Sequence, residues 1–337
     1  MSMSSPRFLP PADAFGRTAS LSFTTTFPAY GVPLEVRSNA AAALDLAEVT
    51  FGAWRGLDRS LVRLDRLARL DVVVHESTGR TLPARLTYRR HGPVFLAASG
   101  TCLCAVLLEQ QHAVCFVPEQ ALGDPEWFGA HVNGCGLLAV SQHDRVPLHG
   151  ATVVSNGHAA VLVGPSGIGK STLAYACHAA GLQVLSEEAV FVSLGGGPPR
   201  LWGHVPSIWL DPLAVRFFPE LAGQPVVERA SGKRRVAAPA RAGEARPLLT
   251  HSGPTILVVL DRATPGAGLR GADRGTVESA LAACEEEGFD QYPTERPAVE
   301  AWLTTLPAYQ LDVGADPHLA AGMLRELLSA SDGSLPL

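Results

Sequence analysis

One stretch of this chain leaves little freedom of interpretation: Gly164-Pro165-Ser166-Gly167-Ile168-Gly169-Lys170-Ser171, followed by Thr172. Glycines at this spacing let the backbone curl so that successive N–H groups face inward, a geometry that cradles phosphate oxygens. The helix expected from Lys170 adds the positive end of its dipole. Lys170 is placed to reach the β- and γ-phosphates of a nucleoside triphosphate, and Ser171 to ligate Mg²⁺ through its hydroxyl. The context agrees: the apolar run from Ala159 to Val163 reads as a strand leading into the loop, and Gly181 stops the helix after about Ala180. The chain is therefore expected to contain an α/β domain that binds a nucleoside triphosphate with Mg²⁺.

A phosphate loop of this kind needs carboxylates beside it, to hold the metal and to orient the attacking group. Glu187-Glu188 follows the next expected strand, Leu182 to Leu185, where a βαβ unit returns to the phosphates. One of the two carboxylates could hold Mg²⁺ through water, beside Ser171, and the other could accept a hydroxyl proton. The competing reading is a solvated acidic turn. His149, in Pro147-Leu148-His149-Gly150, heads the strand pair that leads into the loop. It is read either as a group touching phosphate or acceptor, or as a structural histidine. Ser231-Gly232-Lys233-Arg234-Arg235 reads as a flexible basic patch. Lys233, Arg234 and Arg235 could close over the triphosphate, the alternative being a solvated loop.

Around this centre the chain divides in two. Residues 1 to 145 read as an α+β region. Its strands are expected at Ala19–Phe27, Leu34–Arg37, Leu70–His75, Ala84–Tyr88, Val94–Ala97, Cys102–Leu108 and Ala113–Val117, its helices at Ala40–Trp54 and Pro125–Val140. From Val146 to about residue 330 the pattern is that of the P-loop domain. It holds a hairpin turned by Ser155-Asn156-Gly157-His158 and strands at Val190–Leu194, Ile208–Leu210 and Leu257–Leu260. Three helices follow, at Val277–Glu287, Arg296–Thr305 and Pro317–Ala330. Gln224 to Pro254, rich in Arg, Gly, Ala and Pro, reads as a long mobile excursion.

Composition narrows the partners. The formal net charge is −5, and no basic stretch alternates with aromatics, so nucleic acid is not expected. No window approaches the ~20 apolar residues of a membrane span. Met1 to Arg7 lacks the apolar core of a signal peptide, which makes the cytoplasm the expected location. The six cysteines show no CxxC pair and no zinc-like spacing, and read as buried small hydrophobes in a reducing compartment rather than as metal or redox groups. Cys102 and Cys104 are expected on opposite faces of their strand.

The order His149-Gly150, hairpin, Gly164 to Thr172, helix, Gly181, then a strand ending in two acids resembles the catalytic domain of HPr kinase/phosphorylase, with the phosphoenolpyruvate carboxykinase fold as a distant relative. It is more similar still to the HPr-kinase-like proteins found beside ribosomal-peptide gene clusters, some of which phosphorylate a serine of a precursor peptide. The resemblance covers about Val146 to Ala330 and is specific between His149 and Val192. It implies an ATP site at Gly164 to Thr172, with Glu187 at the family's first acidic position, linked to proton abstraction from the acceptor, and Glu188 at its second, linked to metal or to structural pairing. Lys233 to Arg235 match its basic element loosely. Both acids are Glu where the family usually has Asp. The family's glycine-rich docking segment is not found, so HPr itself is not the expected acceptor. The implied activity is transfer of a phosphoryl group from ATP to a serine of a peptide or protein, with the N-terminal region helping to present it. A homo-oligomer is compatible with the resemblance. A nucleotide-binding regulator without turnover and a kinase of a small hydroxyl compound stay open beside it.

Overall fold

The computed structural model describes residues 20–76, 82, 86–195, 197–203, 205, 207–229, 232–238, 247–262, 266–284, 292 and 294–330. Contacts divide the chain into a unit of residues 1–143 and a unit of residues 144–337.

The first unit is built on one seven-stranded sheet. Its elements are β1 (Phe23–Ala29), β2 (Val32–Ser38), α1 (Ala41–Phe51), β3 (Ala68–His75), β4 (Thr87–His91), β5 (Val94–Ser99), β6 (Cys102–Leu107) and β7 (His112–Pro118), then α2 (Pro125–Phe128) and α3 (Gly134–Ser141). The strand order is β1-β2-β3-β7-β6-β5-β4, with β2, β3 and β7 parallel and the outer pairs antiparallel. Burial alternates along β2 and β6, as it does for a sheet with one face on a core. On β6 the buried face carries Cys102, Cys104 and Val106 together. Residues i and i+2 of a strand share a face, so the expectation of opposite faces for the two cysteines is corrected. The Pro125–Val140 helix is interrupted: Gly129–Asn133 forms a π turn between α2 and α3, where Gly129, Asn133 and the following Gly134 weaken the α register.

The second unit holds the loop. Its elements are β8 (Val146–His149), β9 (Ala151–Ser155), β10 (His158–Val163), α4 (Lys170–Ala179), β11 (Gln183–Ser186), β12 (Ala189–Ser193), β13 (Arg200–Trp202), β14 (Trp209–Leu210), β15 (Val226–Glu228), β16 (Arg234–Ala237), β17 (Thr250–His251), β18 (Thr255–Asp261), β19 (Gly268–Gly271), α5 (Arg274–Ala283), α6 (Arg296–Leu303), β20 (Ala308–Asp312) and α7 (Pro317–Ser329). The fold is α/β. The main sheet runs β11-β9-β10-β18-β20-β19, and a second runs β17-β13-β12-β8. β10 is nearly buried throughout. Ala160 and Leu162 pack in one cluster with Leu173, Ala174 and Cys177 of α4 and Ala320, Ala321 and Leu324 of α7. Each fully buried Leu contributes about 1.5–3 kcal/mol, so this cluster anchors the strand and helix on either side of the loop.

Two expectations on the C-terminal side change. The described part of Gln224–Pro254 contains strands: β16 pairs with β14 on one side and β15 on the other in a small three-stranded sheet, and β17 joins the second sheet. These strands are two to four residues long, too short for period-two alternation to stand out. The helix expected at Val277–Glu287 begins earlier, at Arg274, because Asp273 caps it by accepting from the Thr276 N–H at 2.8 Å. Residues 285–287 lie outside the described residues, as do Ser231 of the basic patch and Ala19, Ala84 and Arg85 of two expected strands. No helix among the described residues is long and apolar enough to cross a membrane.

Candidate functional site

β10 ends at Val163, and the chain turns through residues 164–169 into α4. Gly164, Gly167 and Gly169 sit at φ +149°, +84° and +116°, backbone that side chains with a Cβ adopt only under strain. The Lys170 side chain is buried and folds back, its Nζ donating to the carbonyls of Gly164 at 2.7 Å and Pro165 at 3.2 Å. The Lys233 Nζ stands 3.3 Å from the Ser166 hydroxyl, and the Arg262 guanidinium donates to the Ile168 carbonyl at 3.0 Å. Three cationic groups thus converge on one short loop at a helix N-terminus, an arrangement suited to a polyanion.

The start of the loop is pinned by Cys284, whose Sγ accepts from the Gly164 N–H at 3.1 Å. Thr172 follows Ser171 in the first turn of α4 and is partly buried.

Sheet order explains how the carboxylates arrive. β9 is antiparallel to both β10 and β11, so β10 and β11 run the same way with β9 between them. The C-terminal end of β11 therefore points toward the loop end of the sheet. There Glu187-Glu188 carries the chain from the main sheet into β12 of the second sheet. The return passage lies alongside: Ala189 pairs with His149, and the Gly150 N–H donates to the Glu188 carbonyl at 3.1 Å. Gly150 has no room for a side chain, since a Cβ there would stand 2.8 Å from the Leu162 carbonyl oxygen. Gly150→Ala is expected to destabilise the fold by about 1–3 kcal/mol, read from the midpoint of urea unfolding, because backbone must shift to admit the methyl group.

Glu187 is the chemically distinctive group. Burial pushes its carboxyl up to about 7 and Glu188 adds to that, while Ser171, the Trp209 backbone and the charge of Arg229 pull the other way. Arg229 itself lies 4.1 Å over the Trp209 ring. A half-buried carboxyl held near neutrality beside a phosphate loop suits a base or a cation ligand. Glu188 is exposed. Ser171, Glu187 and Glu188 are hard oxygen donors, a set that fits Mg²⁺.

His149 is buried, and burial first, then the Lys170 charge, push its imidazole down to about 4. It is therefore neutral at pH 7 and does not present a cation to phosphate. Native His149 stays neutral while the unfolded chain takes up a proton near pH 6.5, so its contribution to stability is present above that pH and is lost as the pH falls toward 4. Two-dimensional NMR of the imidazole carbons should show no titration of His149 above about pH 5.

Of the basic patch, only Lys233 contacts the loop among the described residues. Arg235 is engaged with Asp211 at 3.6 Å, and Arg234 is exposed at the start of β16. The structure adds residues the sequence reading did not single out. On the other side of β10, β18 runs parallel to it and ends at Asp261, whose carboxylate accepts from Gln310 Nε2 at 2.6 Å and from the Arg262 N–H at 2.7 Å. Asp261 lines a cleft of about 660 Å³ with Pro165, Asp273, Thr276, Ser279 and Gln310, large enough for a nucleoside or a short peptide segment. An acid and a base adjoining at the end of a strand, Asp261-Arg262, is the one local signal that could have flagged this side.

No protein-family model matches this chain, and no curated protein does. Among solved structures it is similar to the HPr(Ser) kinase/phosphatase from Coxiella burnetii. That likeness covers 53% of this chain and 94% of the other, at 12% identity and a TM-score of 0.29. A superposition that loose carries no weight for mechanism, and the function is read from the site itself.

Proposed function

We propose that this chain is an ATP-dependent kinase that transfers the γ-phosphoryl group to a hydroxyl, with a serine of a peptide or protein as the acceptor. The observation that carries this reading is Glu187: a carboxyl at the loop end of β11, pushed up to about 7 by burial and lowered in part by Ser171 of the phosphate loop. A base for a hydroxyl works best when its pKa lies near the operating pH.

In this reading the loop N–H groups and the α4 N-terminus hold the triphosphate. Lys170 turns from the Gly164 and Pro165 carbonyls to the β- and γ-phosphates, and Lys233 and Arg262 add charge around the loop. Glu187 takes the proton of the acceptor hydroxyl as its oxygen bonds to the γ-phosphorus. The bond from that phosphorus to the β–γ bridging oxygen breaks, and ADP leaves with the electron pair. Ser171 and Glu188 would hold Mg²⁺, which supplies neutralisation of the phosphate charge. The two acids are separated by Mg²⁺ dependence: Glu188→Gln should raise the Mg²⁺ concentration for half-maximal activity, because a neutral amide is a poorer ligand for a hard cation.

The test is incubation with γ-labelled ATP and serine-containing peptides, with the label followed by mass spectrometry. Label on a serine hydroxyl is the expected result. Tight ATP binding with no transfer to any peptide, protein or small hydroxyl acceptor would replace the kinase reading with that of a nucleotide-binding regulator.

A further inference from the structure

The first unit contains a sulfur cluster unrelated to the phosphate loop. All six cysteines of the chain are buried free thiols. Three of them, Cys104, Cys115 and Cys135, bring their Sγ atoms within 4.8 Å of one another. Cys104 and Cys115 are direct cross-strand partners on β6 and β7. Cys135 comes from the first turn of α3, which packs over these strands. The next residue makes the approach close: a Cβ at Gly136 would stand 3.0 Å from the Leu70 side chain. Cys104 and Cys115 are fully buried, and Cys135 is 4% exposed.

We propose that Cys104, Cys115 and Cys135 form a three-thiolate site for a thiophilic d¹⁰ cation, Cu⁺ or Zn²⁺. Sulfur is the soft donor that selects these ions over Mg²⁺ or Ca²⁺. Two sulfurs bound to one ion with bonds of about 2.3 Å stand at most about 4.6 Å apart, so the cluster needs only small side-chain adjustments to share an ion. Each thiol that binds forms an S–metal bond and gives its proton to solvent, so loading releases up to three protons. The two ions differ in what the pocket offers. Zn²⁺ leaves fewer uncompensated negative charges in a buried place, but ordinarily takes a fourth ligand. Cu⁺ is content with three sulfurs. This inference is independent of the kinase reading.

The test uses the reduced full-length protein under anaerobic conditions, titrated separately with Zn²⁺ and with Cu⁺ against a competing chelator. The expected result is one equivalent of at least one ion, with proton release, protection of three thiols from a thiol reagent, and a raised Tm. The ion that wins the competition identifies the resident metal. Cys115→Ala and Cys135→Ala should each lose the stoichiometric binding. Cys102→Ala, buried on the same face of β6 but outside the trio, should keep it. Should the trio variants fail to fold, the sulfur-to-metal charge-transfer absorption of the Cd²⁺-loaded wild-type protein counts the thiolates without any substitution. Neither ion retained against the chelator, retention unchanged in both trio variants, or a Cys104–Cys115 disulfide in freshly isolated protein would each overturn the proposal.

Discussion

Lys170→Ala is expected to lower phosphoryl transfer by about 10²–10³-fold or more and to weaken ATP binding, while the fold survives. The magnitude is that of removing one preorganised charged contact to a reacting group, about 3–4 kcal/mol. In the free protein the ammonium bonds two carbonyls of its own loop, and those hold no other element in place. β10 and α4 are anchored instead by Leu162, Leu173 and Cys177 in the core they share with α7. The variant should therefore unfold with nearly the wild-type urea midpoint. Calorimetric titration with ATP and Mg²⁺, alongside the transfer assay, separates the effects. Unchanged affinity and turnover would reject the loop as the nucleotide site.

Glu187→Gln is expected to keep ATP binding and to cut phosphoryl transfer by about 10²–10⁴-fold, the usual contribution of a positioned general base. The amide fills the same space and cannot take the proton. The pH dependence gives the same test in another form. With the carboxyl near 7, kcat/KM should rise with pH and level off above about 7, and the Gln variant should lose that limb. Stability moves oppositely. The native carboxyl keeps its proton up to about pH 7, whereas the unfolded chain releases it near 4.5, so this residue's contribution to stability falls as the pH rises between those values. Glu187→Gln should flatten that slope in urea melts followed at several pH values. Full activity in both Glu187→Gln and Glu188→Gln at ordinary Mg²⁺ would leave the pair as a solvated turn.

Local chemistry made the centre of the site legible. Gly164, Gly167, Gly169 and Lys170 lie within one turn of chain, and the strand and helix around them carry strong apolar patterns. What was hidden depends on the sheet order. Arg262 and Asp261 meet the loop because β18 pairs with β10, although nearly a hundred residues separate them in the chain. Cys284 reaches Gly164 across 120 residues. Arg229 and Trp209 approach Glu187 from segments that show little periodicity, one of them inside the stretch read as an excursion. The sulfur cluster escaped notice for the same reason: strand pairing and helix packing gather cysteines whose spacing in the chain carries no metal signature.

The most direct measurement is hydrogen exchange with and without ATP and Mg²⁺, read by mass spectrometry on peptides along the chain. Nucleotide on the loop ties up the amides from Ser166 to Thr172 and holds the start of α4 closed. Slowed exchange concentrated in peptides that cover these residues, and absent in Lys170→Ala, is the predicted result. Protection confined to other segments, or none at saturating ATP, would contradict a nucleotide site built on this loop.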